Sequence, residues 1–179
     1  MIIFKLVIMK KTSFLMIDFE MPEFIKNLQK YIPEEELYRP ENPENGFEYG
    51  LETESHVTLA PCLDNDINLV DLKKLLKPID EYEAKILDIS VFENQDFDVL
   101  KCNVFSNKMT ETNTLIFSKY ECYSEYKDYH PHMTIAYMKK GMARKYIKYV
   151  MDELVVLEPV NFAFGYFDKN DNYVRKTWK

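Results

Sequence analysis

Glycine is scarce in this chain, four residues in 179, and no tract is repeated or low in complexity. That excludes glycine-rich linkers and solenoid arrays. Cysteine is scarce too. Cys62, Cys102 and Cys122 are an odd number, widely spaced and without a C-x-x-C, so neither a disulfide framework nor a zinc ribbon is expected, and a reducing cytoplasm fits. Long apolar runs are missing: Met1-Ile2-Ile3-Phe4-Lys5-Leu6-Val7-Ile8 is too short to span a bilayer and has neither a basic leader nor a small-residue cleavage site. The chain therefore reads as soluble, with no membrane partner. Met9-Lys10-Lys11 resembles a natural start, which would make residues 1–8 an upstream extension. A dense Lys/Arg block is also lacking. With 30 acidic against 23 basic side chains and a net charge of −7, long duplex DNA or RNA is not an expected partner. A small phosphorylated ligand stays open, since a few donors in a cleft hold one or two phosphates whatever the total charge.

What is abundant is apolar and aromatic: 46% and 15% of residues, with 13 Tyr and 12 Phe. This is enough for one well-filled domain over 1–179 and too little for two. Thr12–Phe19 reads as a strand, and Pro22–Tyr31 as a helix through Phe24, Ile25, Leu28 and Tyr31. Residues 39–46, dense in Pro, Asn and Gly, read as a loop bordering a cleft. Then follow a strand over Ser55–Ala60, a helix over Asn68–Leu76, and paired strands Lys85–Phe92 and Asp98–Phe105. Asn107–Tyr120 reads as a helix despite its threonines, His132–Tyr137 as a strand and Gly141–Leu154 as a helix. Asn161–Phe167 and Tyr173–Trp178 close the chain as strands. Strands and helices thus alternate in two similar halves.

Two of the three histidines sit in one local pattern, Ser55-His56-Val57-Thr58-Leu59 and Pro131-His132-Met133-Thr134-Ile135. On a strand, each His projects with the Thr two places on, while Val57, Leu59, Met133 and Ile135 face the other way. If the strands lie together in mid-sheet, two imidazoles and two hydroxyls converge. That set suits phosphodiester cleavage, which needs a base for the attacking hydroxyl, an acid for the leaving oxygen and donors to the nonbridging oxygens. No metal is required. Which His is the base and which the acid stays open at this level.

The paired His-x-Thr strands resemble the 2H phosphoesterases, the superfamily of bacterial 2′-5′ RNA ligase-like proteins and cyclic nucleotide phosphodiesterases. Tyr129-His130-Pro131-His132-Met133-Thr134-Ile135-Ala136-Tyr137, Gly50–Thr58 and the closing Gly165-Tyr166-Phe167-Asp168 look most like the phage branch that holds the anti-CBASS phosphodiesterases. The resemblance implies a bilobal α+β fold with pseudo-twofold symmetry, antiparallel sheets lining a central cleft and helices outside. It implies His56 and His132 as the catalytic pair, Thr58 and Thr134 as phosphate donors, and no metal or cofactor. For that branch it implies a monomer in the host cytoplasm that cleaves 3′-5′ bonds of cyclic di- or trinucleotide alarms and so evades immunity. Cellular relatives imply the alternative, opening of 2′,3′-cyclic phosphates or 2′-5′ linkages at RNA ends. A sponge that retains the nucleotide uncut is a third expectation. The family's second motif is often followed closely by a basic residue, whereas Ala136 and Tyr137 come first here and Lys139 and Lys140 later.

Other residues carry weaker signals. His130 with His132 forms H-x-H, which with His56 suggests a metal-dependent alternative, but no carboxylate accompanies them at a metal-site spacing. His130 more simply orients the strand entrance or reaches the ligand's edge. Among Tyr38, Tyr49, Tyr129, Tyr137 and Trp178, which could stack on bases, Tyr49 and Tyr137 lie nearest the motifs and are the substrate-binding candidates. Lys139, Lys140 and Arg144 suit either phosphate contact or a solvated helix start. Cys62 carries no mark of an activated nucleophile.

Overall fold

The computed structural model describes residues 12–41, 49–64, 66–122, 128–149, 154–170 and 172–179. The upstream residues 1–8 and residues 42–46 of the predicted loop lie outside the described part. The strands are β1 (Thr12–Phe19), β2 (His56–Asp64), β3 (Ala84–Glu93), β4 (Phe97–Phe105), β5 (His132–Lys139), β6 (Val156–Leu157), β7 (Pro159–Phe167) and β8 (Tyr173–Trp178). The helices are α1 (Glu23–Lys30), α2 (Leu69–Lys73) and α3 (Asn107–Lys119). The fold is α+β, and all strand pairings are antiparallel in the order β6-β3-β4-β5-β2-β1-β7-β8.

Two halves make this sheet: β1, β2, β7 and β8 on one side, β3 to β6 on the other. They meet where β2 pairs β5, at Val57↔Met133 alone. One face is apolar and lies under the helices. Leu15, Ile17, Val57, Leu59, Leu100, Met133 and Ile135, each fully buried, belong to one core cluster with Ile25 and Leu28 of α1, Leu72 of α2 and Met109 and Ile116 of α3. Period-two alternation in the strands against helical spacing in α1 and α3 dictates this layering.

The threonines of α3, poor helix formers, are used for bonds. Thr110 Oγ1 donates to Ser106 O and Thr114 Oγ1 to Thr110 O, Thr112 shares a 3.0 Å bond with the Tyr82 hydroxyl, and Asn113 Nδ2 donates to Leu59 O at 2.8 Å. The last bond fixes the helix to β2. Ser106 caps the start, accepting from Met109 N and donating to Glu83 O. α2 begins, as expected, at the Asn68 cap, but ends at Lys73.

The helix expected over Gly141–Leu154 does not form among the described residues; the chain makes a 3-10 turn over Ala143–Lys148 instead. The inward residues Ala143, Tyr146 and Tyr149 recur every third position, which is the 3-10 period. Lys145 Nζ and the hydroxyl of the inward Tyr146 both donate to Glu36 of a neighbouring short turn.

Candidate functional site: two crossed His-x-Thr strands

Because β2 and β5 run antiparallel through Val57↔Met133, His56 stands opposite Thr134 and Thr58 opposite His132. The two motifs cross, with a pseudo-twofold axis at the apolar pair between them. Val57 and Met133 are fully buried on the core face, whereas the four polar side chains are half-buried on the open face. The structure therefore brings together the four residues singled out by the motif. No helix is long and apolar enough to cross a membrane among the described residues.

Paired residues share a face, so the register also identifies the neighbours. In the first half His56 pairs Asp18, which pairs Asn161, and Thr58 pairs Met16, which pairs Ala163. In the second half His132 pairs Asn103, which pairs Asp88, and Thr134 pairs Lys101, which pairs Ser90. Each histidine is thus followed outward by an Asp–Asn pair in opposite order. Asn161 Nδ2 donates to Asp18, and Asn103 Nδ2 donates to Asp88. Asp18 is further held by Arg175 of β8, whose Nε lies 3.3 Å from Glu54.

His132 is fixed by its Nδ1–H, which donates to His130 O at 2.9 Å, so in the neutral ring Nε2 is the nitrogen without a proton. Phe92 meets the imidazole edge-on, ring centroids 4.9 Å apart. Burial pushes the His132 pKa below its ordinary 6.5, and the charges of Lys101, His56 and His130 add to that against the hydrogen bond to the carbonyl. The Nδ1 of His56, by contrast, is buried without a hydrogen-bond partner.

Lys101 was not legible as a site residue. Its side chain is only 4% exposed; the ammonium donates to Ser90 Oγ at 2.7 Å and to Asn103 Oδ1, and lies 4.1 Å from the Phe92 ring centroid. Burial lowers its pKa, partly offset by the nearby Asp88 carboxylate. The available signal was one lysine inside the otherwise strand-like Phe97-Asp98-Val99-Leu100-Lys101-Cys102-Asn103-Val104-Phe105.

Tyr137 reaches the site through a bulge. Lys101 pairs Thr134 but Leu100 pairs Ala136, so Ile135 is the extra residue; Ile135 and Ala136 are both buried, and Tyr137 returns to the open face. Its phenol is hydrogen-bonded to Thr134, and burial raises its pKa. Tyr49 meets Tyr137 edge-on at 5.4 Å, and Tyr38 and Phe97 complete the half-buried aromatic group. The 49–52 segment is anchored there: Tyr137 N donates to Gly50 O at 2.7 Å, and Gln29 of α1 donates to Glu52 O and Ile135 O. Gly50 has a φ of +107° and lies against the Arg39 guanidinium, 2.8 Å from where a Cβ would stand, so no other residue fits without strain.

The other candidates fall elsewhere. His130 is exposed and contributes its carbonyl; among the described residues no three His, Cys, Asp or Glu lie close enough to hold a metal. Tyr129 is a strut whose hydroxyl donates to Thr58 O at 3.0 Å. Trp178 stacks on Phe162 with Lys73 over its ring, on the helix-covered face. Lys140 and Arg144 pair with Asp98 and Glu93 at the far end of β4 and β3, and Lys139 is exposed beside them. Cys62 lies on β2, its side chain outside the described part. Cys102 is fully buried, and burial pushes its thiol up to about 12.

Neither a family model nor a curated protein sequence matches the chain. Solved structures share its fold. Escherichia coli LigT complexed with 3′-AMP superposes with a TM-score of 0.54 at 16% identity, over 94% of this chain and 95% of that one. Kluyveromyces marxianus Usb1 gives 0.52 at 8% identity, over 94% and 99%, and its form with uridine monophosphate gives 0.51. A protein described as a phosphoesterase gives 0.52 at 14% identity, over 95% and 96%.

Proposed function

We propose that this protein is a metal-independent phosphodiesterase of the 2H phosphoesterase type, with His56 and His132 as its acid–base pair. The crossing of the two His-x-Thr strands at Val57↔Met133 carries this reading, since it sets two imidazoles and two hydroxyls on one open face. One imidazole takes the proton of an attacking hydroxyl as the O–P bond forms. The other protonates the oxygen whose bond to phosphorus breaks, and Thr58 and Thr134 donate to the nonbridging oxygens. If the attacker is a neighbouring ribose hydroxyl, the product is a cyclic phosphate, and its hydrolysis with exchanged roles resets the pair.

The preferred substrate is a cyclic di- or trinucleotide second messenger, cleaved in a phage-infected cell to silence CBASS immunity. The sequence around both motifs supports that choice, as does the net charge of −7, which disfavours long nucleic acids. A second reading, cleavage at RNA ends or of 2′,3′-cyclic phosphates, is favoured by the fold shared with LigT complexed with 3′-AMP and Usb1 with uridine monophosphate, both single-nucleotide ligands.

The test is chromatography of 3′,3′-cyclic dinucleotides, cyclic trinucleotides and 2′,3′-cyclic mononucleotides after incubation in excess EDTA, beside His56→Ala and His132→Ala. Cleavage of cyclic oligonucleotides that both substitutions abolish is expected. Opening of 2′,3′-cyclic mononucleotides alone would favour the second reading. Retention without cutting would make the protein a sponge, and loss of cutting in EDTA would overturn the mechanism.

A further inference from the structure

We propose that Lys101, carried by a strand that bears neither motif, is the phosphate-binding cation of this site and makes His132 the proton acceptor and His56 the donor. The inference rests on the phosphodiesterase reading for its substrate, though not for its test. Among the described residues, no carboxylate lies within ion-pair distance of Lys101, although the side chain is 4% exposed. Two of its three donors go to Ser90 and Asn103, and Phe92 covers it. A buried ammonium held this way is costly unless an anion completes it. Thr134 is its cross-strand neighbour and His132 stands one pair further along, so an anion taken by Lys101 lies between the groups that act on phosphorus. Arg175, the cation of the other half, is already paired with Asp18 and Glu54.

Charge then separates the two imidazoles. His132 is faced by Lys101 from β4, His56 from β2 and His130 from its own loop, with Asp88 of β3 reaching it only through Asn103. Burial and the Lys101 ammonium disfavour its charged form, and its Nδ1–H is committed to His130 O. His56 has Asp18 as its cross-strand neighbour, in a cluster where two carboxylates face one guanidinium. In the forward step His132 Nε2 takes the proton of the attacking hydroxyl as the O–P bond forms. The P–O bond to the leaving oxygen breaks, and that oxygen takes the proton that His56 has to carry into the step; no net charge is created.

Inorganic phosphate titrated into the protein, followed by the nitrogen shifts of the histidine side chains, tests this without turnover. Lys101→Met should weaken phosphate binding at least tenfold and move the His132 titration upward by at least half a pH unit. Arg175→Met should change phosphate affinity less than threefold. Wild-type affinity and an unmoved His132 in folded Lys101→Met would overturn the proposal, as would a larger loss in Arg175→Met. Should Lys101→Met not fold, Ser90→Ala must weaken phosphate binding at least threefold, and unchanged affinity there overturns it. If every phosphodiester stays uncut while Lys101→Met still loses phosphate and shifts His132, the assignment of Lys101 stands and the phosphodiesterase reading fails.

Discussion

Met16 and Lys101 hold equivalent places in the two halves, each across a strand from the threonine of its motif, and one is a thioether where the other is an ammonium. The rest of the local pattern is matched: a His, a Thr, and an Asp–Asn pair one strand further out. The cation of the first half comes instead from the outer strand β8, and carboxylates neutralise it. The aromatic group of Tyr38, Tyr49, Phe97 and Tyr137 packs on β4 and β5 of the second half. A symmetric frame thus supplies duplicated imidazoles and hydroxyls, and its departures from symmetry decide where charge sits.

Removing the shared parts should have the largest effect. His56→Ala and His132→Ala should each lower kcat/KM by about 10²–10⁴-fold, and the double variant little further, because the pair acts as a unit. Additive losses in a product assay would break the equivalence of the two motifs. A part present in one half only should matter less. Tyr137→Leu should raise KM roughly tenfold, the size of one lost base-stacking contact, while Tyr137→Phe stays within about threefold of wild type. A pure kcat effect would remove the aromatic group from binding.

The first half's cation should be structural. Arg175→Met should cost about 1.5–3 kcal/mol by denaturant unfolding, since it removes the ion pair that holds Asp18 and leaves the Asn161 amide bond. Smallest is a pH effect. The folded pKa of His132 lies below 6.5, so the unfolded chain takes up that proton first and stability falls as pH drops from about 6.5. The lowered carboxyls Glu34, Glu36 and Glu93 act only below their ordinary 4.5, so they do not obscure this window. Thermal unfolding between pH 7.5 and 5.5 should show a shallower decline in His132→Gln than in wild type; equal slopes would remove the asymmetry assigned to His132.

The four motif residues were legible because a strand's period of two is exact enough to put His and Thr on one face and the apolar residues on the other. The same rule gave seven of the strands and the sidedness of the sheet, since β6 is only two residues long. It did not give Tyr137's route into the site, because a bulge at Ile135 resets the alternation and nothing in Ile135-Ala136-Tyr137 announces it. Nor did it give Lys101, whose meaning depends on a cross-strand register that no local pattern encodes. The stretch after Gly141 failed differently. Its apolar residues fit either helical period, and contacts with Glu36, more than a hundred positions earlier, accompany the tighter one.

The axis through Val57 and Met133 has a consequence for ligand orientation. A half-turn about it exchanges the two histidines and the two threonines, so a bound ligand without symmetry would meet two similar seats and would react from only one if the base is fixed. A cyclic dinucleotide of two identical halves carries a twofold axis of its own. Aligned with the protein's, either way of entering is the same complex, and no fraction is lost to a backward pose.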